Sequence, residues 1–300
     1  MPSPAPPLSL IAAADTGDYA LLDSGAGRKL ERFGAITVDR PEPQAMWRPR
    51  LDAVTWQGAD GAFDAADDDE QGRWRHPGAA PNSWPVGIGG VTVMCRFSAF
   101  RHMGLFPEQA PHWAWMADRL KRCPDPRPRV LNLFAYTGAA SLIAARAGAE
   151  VTHVDASKKS VAWAKDNQAA SGLSDAPIRW IVDDARKFAA REVRRGRSYH
   201  MLLIDPPKFG RGPEGETWEL FDHLPELLAN CAKLIDPVFG NVILTAYAIR
   251  ASAVALGQTL QDALAGRDGR FETGELAIPE AGANPRLLPT SLYVRWQTTT

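Results

Sequence analysis

The chain has 300 residues, 45% of them hydrophobic and 23% charged, and a formal net charge of -1. That is the balance of an ordinary globular protein, with length for about one to three domains and a substantial core. It excludes a global electrostatic argument for nucleic acid, so any such argument must be local.

No run approaches the roughly 18 apolar residues of a membrane span, and the opening MPSPAPPLSL lacks the basic start and apolar core of a signal peptide. Cys95, Cys123 and Cys231 lie far apart without paired spacing, which indicates neither disulfides nor a zinc site. The expectation is a cytoplasmic protein with no membrane contact and no metal.

In chain order, LLDSGAGRKLERFG (21 to 34), AITVDRP (35 to 41), LDAVTWQG (51 to 58) and VTVMCRF (91 to 97) are short strand-like pieces separated by Gly, Pro and Asp. They predict a small β-rich region over residues 1–100. DAADDDEQG (64 to 72) reads as a solvated acidic loop. RCPDPRPR (122 to 129) is the strongest linker signal and falls in a second region taken as 101–300.

From residue 128 on, strand-like runs alternate with helical patterns. The strands are VLNLF (130 to 134), EVTHVD (150 to 155), IRWIVDD (178 to 184), YHMLLID (199 to 205) and NVILTAYA (241 to 248). Between them lie AASLIAARAG, SKKSVAWAKDNQAAS, ARKFAAREVRRG and WELFDHLPELLANCAKLI. In the last, Leu220, Leu224, Leu227, Leu228, Cys231, Leu234 and Ile235 fall near one helical face, and Pro225 should break or kink its start. After a helical stretch near 252 to 265, TGELAIP and TSLYVRW follow with no helix between them and so can pair antiparallel. The prediction is an α/β fold with a doubly wound, mostly parallel seven-stranded sheet, preceded by the small β-rich region.

In open α/β sheets, ligands bind beyond the carboxyl ends of the strands. Four successive ends here carry LNLFAYTG, VDAS, VDDA and IDPPKF. LNLFAYTG has one glycine, Gly138, where a dinucleotide fingerprint wants three for the approach to a pyrophosphate. Asp155, ending the next strand, is placed to accept from a ribose diol, which alone suits NAD or S-adenosylmethionine equally. The missing glycines favour S-adenosylmethionine, which has no phosphate. At the third end Asp183 or Asp184 could accept from an adenine amino group, and Asp184, immediately before a helix, is preferred. Each acidic residue taken singly also reads as a helix cap.

On LNLFAYTGAASL, HVDASKKSVAWAKDN, DDARKF and DPPKF, in that order, the chain resembles the class I S-adenosylmethionine-dependent methyltransferases. Within them it is most similar to the branch of bacterial large-subunit ribosomal RNA cytosine-5 and guanine-N7 enzymes. The resemblance covers roughly 105 to 250 and is more specific for fold and cofactor than for substrate. It implies that Phe134, Tyr136, Thr137 and Gly138 frame the methionine side of S-adenosylmethionine. Asp155 with Ala156 and Ser157 would hold the ribose, and Asp184 the adenine. HMGLFPEQAPHW (102 to 113) resembles the segment before the first strand in that branch, and implies that Gln109 points to the cofactor.

Methyl transfer from a sulfonium is an in-line displacement, so the enzyme mainly positions the acceptor atom. Asp205 and the Pro206 carbonyl can accept from a base N–H, Phe209 can stack on its face, and Lys208 can reach a phosphate or base oxygen. Carbon-5 methylation of cytosine needs a cysteine adding at C6. In the cytosine-5 branch that cysteine follows the fifth strand, where this chain reads ILTAYAIR. The expectation is therefore transfer to a nucleobase in RNA, ribosomal RNA foremost, without a cysteine nucleophile. RKFAAREVRRGR (186 to 197) and RLKRCPDPRPR (119 to 129) could hold phosphates or form solvated faces, and GRGPEGE (210 to 216) resembles a lid. The alternatives are a methyltransferase on a non-RNA substrate, an NAD-linked oxidoreductase, and a cofactor-binding protein without catalysis.

Overall fold

The computed structural model describes residues 7–13, 16–65, 72–75, 81–247, 249 and 251–299. Most of the acidic stretch 64 to 72 lies outside the described residues, as do two positions of ILTAYAIR. The first part of the chain forms β1 (Ser9–Ala12), β2 (Tyr19–Gly25), β3 (Arg28–Phe33), β4 (Ile36–Pro41), α1 (Ala53–Gln57), β5 (Gly61–Ala65), β6 (Gly72–Arg75), β7 (Trp84–Ile88) and β8 (Val91–Cys95). A 3-10 turn, Pro107–Gln109, then leads into α2 (Ala110–Lys121), β9 (Arg129–Leu133), α3 (Ala139–Arg146), β10 (Glu150–Asp155), α4 (Lys158–Ala170), β11 (Ile178–Val182), α5 (Ala185–Arg194) and β12 (Met201–Ile204). The chain continues through β13 (Phe209–Arg211), β14 (Thr217–Glu219), α6 (Leu220–Leu234), β15 (Asn241–Tyr247), α7 (Ala253–Ala263), β16 (Arg270–Pro279) and β17 (Leu287–Gln297).

The central sheet has the order β1-β16-β17-β15-β12-β9-β10-β11. β17 runs antiparallel to β15 and β16, and the other pairings are parallel. The doubly wound, mostly parallel sheet is thus present, with one strand beyond the predicted seven. That eighth strand, β1, comes from the N-terminal region and extends the edge beside β16. Strand order reverses between β9 and β12, which places the crevice at their carboxyl ends.

Strand alternation builds two cores. Met201 and Leu203 of β12 enter one together with α3 and the strands before residue 100, while Leu202 and Ile204 enter the other, under α5, α6 and α7. Tyr19, Phe33, Val86 and Val93 share the first core with Leu142 and Ile143, so apolar packing runs without a break across residue 100. β2 to β6 form a five-stranded sheet beside it, and β7 and β8 a hairpin.

Two local expectations are corrected. LDAVTWQG holds a helix, α1, because the Asp52 carboxylate accepts from the Thr55 N–H and hydroxyl, and this cap outweighs the β-branched residues. Pro225 does not break α6, which runs through it for 15 residues. It removes only the bond to the Phe221 carbonyl, and Phe221 is exposed enough for water to take that place.

Candidate functional site

At the carboxyl ends of the central strands lies a cavity of about 450 Å³, lined by all four of the motif-bearing strand ends, by the segment before α2 and by the end of β15. Its wall after β9 is an unusual turn. Phe134 (φ 55°) and Tyr136 (φ 49°) adopt the left-handed conformation, as does Gly138 (φ 84°). For the two aromatic residues this costs about 1–2 kcal/mol each. Specific bonds hold the turn. The Tyr136 N–H donates to Asp155 Oδ2 at 2.8 Å, the Thr137 hydroxyl to the Gly104 carbonyl at 2.5 Å, and Asn167 Nδ2 to the Thr137 carbonyl at 2.9 Å. A Cβ on Gly138 would stand 3.0 Å from the Ala164 Cβ, so the glycine also lets α3 approach α4.

Asp155 ends β10 with each oxygen accepting one backbone N–H, from Tyr136 and from Ser157, both at 2.8 Å. Each oxygen keeps further acceptor capacity, the pattern a vicinal diol can complete. Burial pushes its carboxyl up, and the two N–H groups oppose that shift. Ser157 caps α4 through its hydroxyl, and Asp184 caps α5, its Oδ1 accepting from the Lys187 N–H at 2.9 Å. Asp184 is both cap and cavity wall: Oδ2 accepts no hydrogen bond among the described residues. Asp183 also lines the cavity, and its Oδ2 pairs with Arg191. Ala156 and Gln109 also line the cavity, Gln109 at the start of α2.

At the opposite rim Asp205 follows β12. Its Oδ1 accepts from the Thr245 hydroxyl of neighbouring β15, which opposes the upward push of burial on its carboxyl. Pro206, Pro207, Lys208 and Arg211 line the same rim. Phe209 does not. In the β13–β14 hairpin Gly210 pairs with Trp218, which is buried against the cavity and donates to the Pro207 carbonyl at 2.7 Å. One residue away, Phe209 therefore points to the other face and is 53% exposed.

Four rings that line the cavity come from stretches the sequence had singled out, Tyr136 from LNLFAYTG, His102 and Phe106 from HMGLFPEQAPHW and Tyr247 from ILTAYAIR. His102 and Phe106 lie 4.7 Å apart between centroids, Tyr136 is 5.6 Å from Phe106, and Tyr247 is 6.1 Å from His102. Behind them the N-terminal strands supply a buried network. Tyr247 donates to Glu42, Lys29 pairs with Glu42 at 3.2 Å, and Arg40 pairs with Glu31 at 2.6 Å. Burial with the cations Arg101, Arg40 and Lys29 holds His102 well below its ordinary range, hence neutral. Burial pushes Glu108 up to about 7 and Tyr247 up to about 12. Tyr136 was named in advance by its motif, whereas for Glu108 and Tyr247 the signal was position, since Glu108 adjoins Gln109 and Tyr247 sits where a cysteine had been sought.

The two basic stretches are largely consumed. In α5 and at its C-cap, Arg191 pairs with Asp183, Arg195 with Glu192, Arg186 with Glu226, and Lys187 with Glu214 and Glu216. Arg119, Arg122 and Arg129 bond to Asn241, Asp118 and Ser198, near the amino ends of β9 and β15 and so at the far end of the sheet from the cavity. The segment 210 to 216 is the turn of the β13–β14 hairpin, tied to α5 through Lys187. Among the described residues no cysteine lines the cavity, and burial pushes the Cys95 and Cys231 thiols up to about 12.

A sheet of this order with a ribose-type acceptor after β10 and no phosphate-binding glycine loop defines a methyltransferase-type nucleoside cleft. The chain belongs to the S-adenosylmethionine-dependent methyltransferase family, whose model matches residues 71–261. Over 96% of this chain and 93% of the other, it superposes on a SAM-dependent methyltransferase of Agrobacterium tumefaciens with a TM-score of 0.92 and 50% identity. A Streptococcus mutans chain described as a candidate methyltransferase shares the fold at a TM-score of 0.71 and 17% identity, over 94% of this chain and 76% of its own. Among curated proteins, ribosomal RNA large subunit methyltransferase K/L of Shewanella frigidimarina is 39% identical over 158 residues, 51% of this chain and 21% of that protein. The same enzyme of Shewanella baltica is 40% identical over 119 residues, 38% of this chain and 16% of that protein. The chain thus spans about a fifth of the length of the curated relatives it matches. It is an enzyme that uses S-adenosylmethionine, and the NAD-linked reading is set aside.

Proposed function

We propose that the enzyme transfers the methyl group to a nitrogen of a nucleobase in RNA, ribosomal RNA foremost, by positioning and without a cysteine nucleophile. In this reading Asp155, with Ala156 and Ser157, holds the ribose of S-adenosylmethionine and Asp184 its adenine. Phe134, Tyr136, Thr137, Gly138 and Gln109 border its methionine side. Bound there, the cofactor supplies a sulfonium methyl group.

The observation that carries the reading is the rim at Asp205. One carboxylate oxygen is fixed by Thr245, which orients the other to accept from the N–H of an incoming amine, with the Pro206 carbonyl beside it. The rings of Phe106, Tyr136, Tyr247 and His102 offer flat surfaces to a heterocycle in the same cavity. Stacking therefore falls to these rings, and Phe209 would join them only if the hairpin turned. Lys208 and Arg211 carry no ion pair among the described residues, which suits them to phosphates at the cavity mouth. The names of the curated relatives support ribosomal RNA as the polymer.

The test is radiolabel transfer to ribosomal RNA from cells lacking the protein. Label should enter RNA with wild type and with the Cys95→Ala, Cys123→Ala, Cys231→Ala triple variant. It should be lost with Asp205→Ala while S-adenosylhomocysteine still binds. Label entering only a protein or a small molecule would overturn the RNA reading, and loss of label in the cysteine variant would overturn the positioning mechanism.

A further inference from the structure

His112 stands in the first turn of α2, 1% exposed, and lines the cavity. Its Nδ1 accepts from the Arg295 guanidinium at 2.9 Å from Nε and 2.6 Å from Nη2. A guanidinium can only donate, so Nδ1 carries no proton and the ring proton sits on Nε2. That Nε2–H has no hydrogen-bond partner among the described residues. An unpaired buried donor costs about 1–3 kcal/mol, so it is a feature that wants a ligand acceptor.

The sheet says which acceptor. Asn132, Leu203, Ile243 and Arg295 are side by side in register across β9, β12, β15 and β17. The first three form the cavity floor, and His112 stands at its far end over Arg295. The sulfur of S-adenosylmethionine bears three arms. On the reading proposed above, on which this inference rests, the adenosyl arm belongs at β10 and β11, by Asp155 and Asp184, and the methyl at the rim beside Asp205. Ile243 lies two residues below Thr245, about 6–7 Å deeper than that rim. The floor beneath the start of α2 is left for the amino-acid arm. The amino end of the 12-residue helix α2 favours an anion there, and Arg295, which also pairs with Glu272 at 3.7 Å, adds its charge behind His112.

We propose that His112 is a cofactor-binding residue whose Nε2–H donates to the α-carboxylate of S-adenosylmethionine. Arg295 is a positioning residue that fixes the tautomer. Burial and Arg295 keep the ring from taking a second proton, which holds this arrangement across the neutral range.

Calorimetry tests it on three ligands: S-adenosylhomocysteine, its decarboxylated aminopropyl analogue, and 5′-methylthioadenosine, which lacks the amino-acid arm. His112→Phe keeps a flat ring and removes the donor. It should weaken S-adenosylhomocysteine by roughly tenfold to a hundredfold and leave the two ligands without a carboxylate within about twofold. Equal loss for all three ligands, or no loss for any, overturns the proposal. If the variant does not fold, ¹⁵N-histidine spectra of the wild-type protein decide. The His112 Nε2–H resonance should move downfield with S-adenosylhomocysteine and stay in place with 5′-methylthioadenosine. A resonance indifferent to both, or a proton found on Nδ1, overturns it equally.

Discussion

Asp155→Asn isolates the ribose contact with one atom changed. In the wild-type chain both carboxylate oxygens are already committed to one backbone N–H each, at 2.8 Å from Tyr136 and from Ser157. The ribose hydroxyls must use the remaining lone pairs. The amide turns one oxygen into a donor, so a ribose hydroxyl loses its acceptor and a backbone N–H meets another N–H. A hydrogen bond to a charged group contributes about 1.5–3 kcal/mol, so affinity for S-adenosylhomocysteine should fall roughly tenfold to 150-fold. The clash with the backbone donor should also cost the free protein about 1–2 kcal/mol in urea unfolding. Calorimetry measures the first and denaturation the second. 5′-Methylthioadenosine, which shares the ribose, should weaken by the same factor. Affinity for both ligands within about twofold of wild type would refute the assignment of Asp155 to the ribose.

Gly138→Ala combines a left-handed φ of 84° with a Cβ contact of 3.0 Å to Ala164, and should lose about 1–3 kcal/mol by chemical denaturation while weakening S-adenosylhomocysteine. Glu108 rises from 4.5 to about 7 on folding, chiefly by burial, with Lys29 and Arg40 opposing and Glu31 adding to it. Between those values the folded state keeps a proton that the unfolded state has lost, so this group's contribution falls by about 3 kcal/mol as pH rises through the window. Glu108→Gln should flatten that slope in urea unfolding measured from about pH 5 to about pH 8, and an unchanged slope would show Glu108 ionised throughout. Lys208→Ala with Arg211→Ala should raise KM for RNA, leave S-adenosylhomocysteine affinity unchanged, and make the salt slope of RNA binding shallower by about 1–1.5.

The sheet was legible because β9, β10, β11, β12 and β15 are local runs each followed by a helix, and local patterns carry that information. EVTHVD coincides with β10, and the antiparallel ending follows from two strands with no helix between them. What could not be read was pairing at a distance. β1 reaches β16 across some 260 residues of chain, and four residues of mixed burial announce no partner. The basic stretches were visible as composition, but their partners Asp183, Glu214, Glu216 and Glu226 are set by tertiary contact. Phe209 and Trp218 show the same limit at one turn. Both are aromatic and close in sequence, and only the register of the β13–β14 hairpin decides which one turns inward.

This geometry gives the N-terminal strands specific contacts behind the cavity rings. Lys29 and Glu31 of β3, Arg40 of β4 and Glu42 just after it alternate in a way that resembles solvent-facing charge, yet all four are nearly or fully buried. Taking charges out of water is costly unless each is paired, and here the pairs Lys29–Glu42 and Arg40–Glu31 meet that cost. Glu42 then accepts from Tyr247, and Arg40 donates to the Arg101 carbonyl at 3.0 Å, next to His102. Two of the rings proposed to receive the substrate are therefore braced from behind by residues of β3, β4 and the turn after it. A change in β3 or β4 that leaves the fold intact would accordingly act on the acceptor and spare S-adenosylmethionine binding.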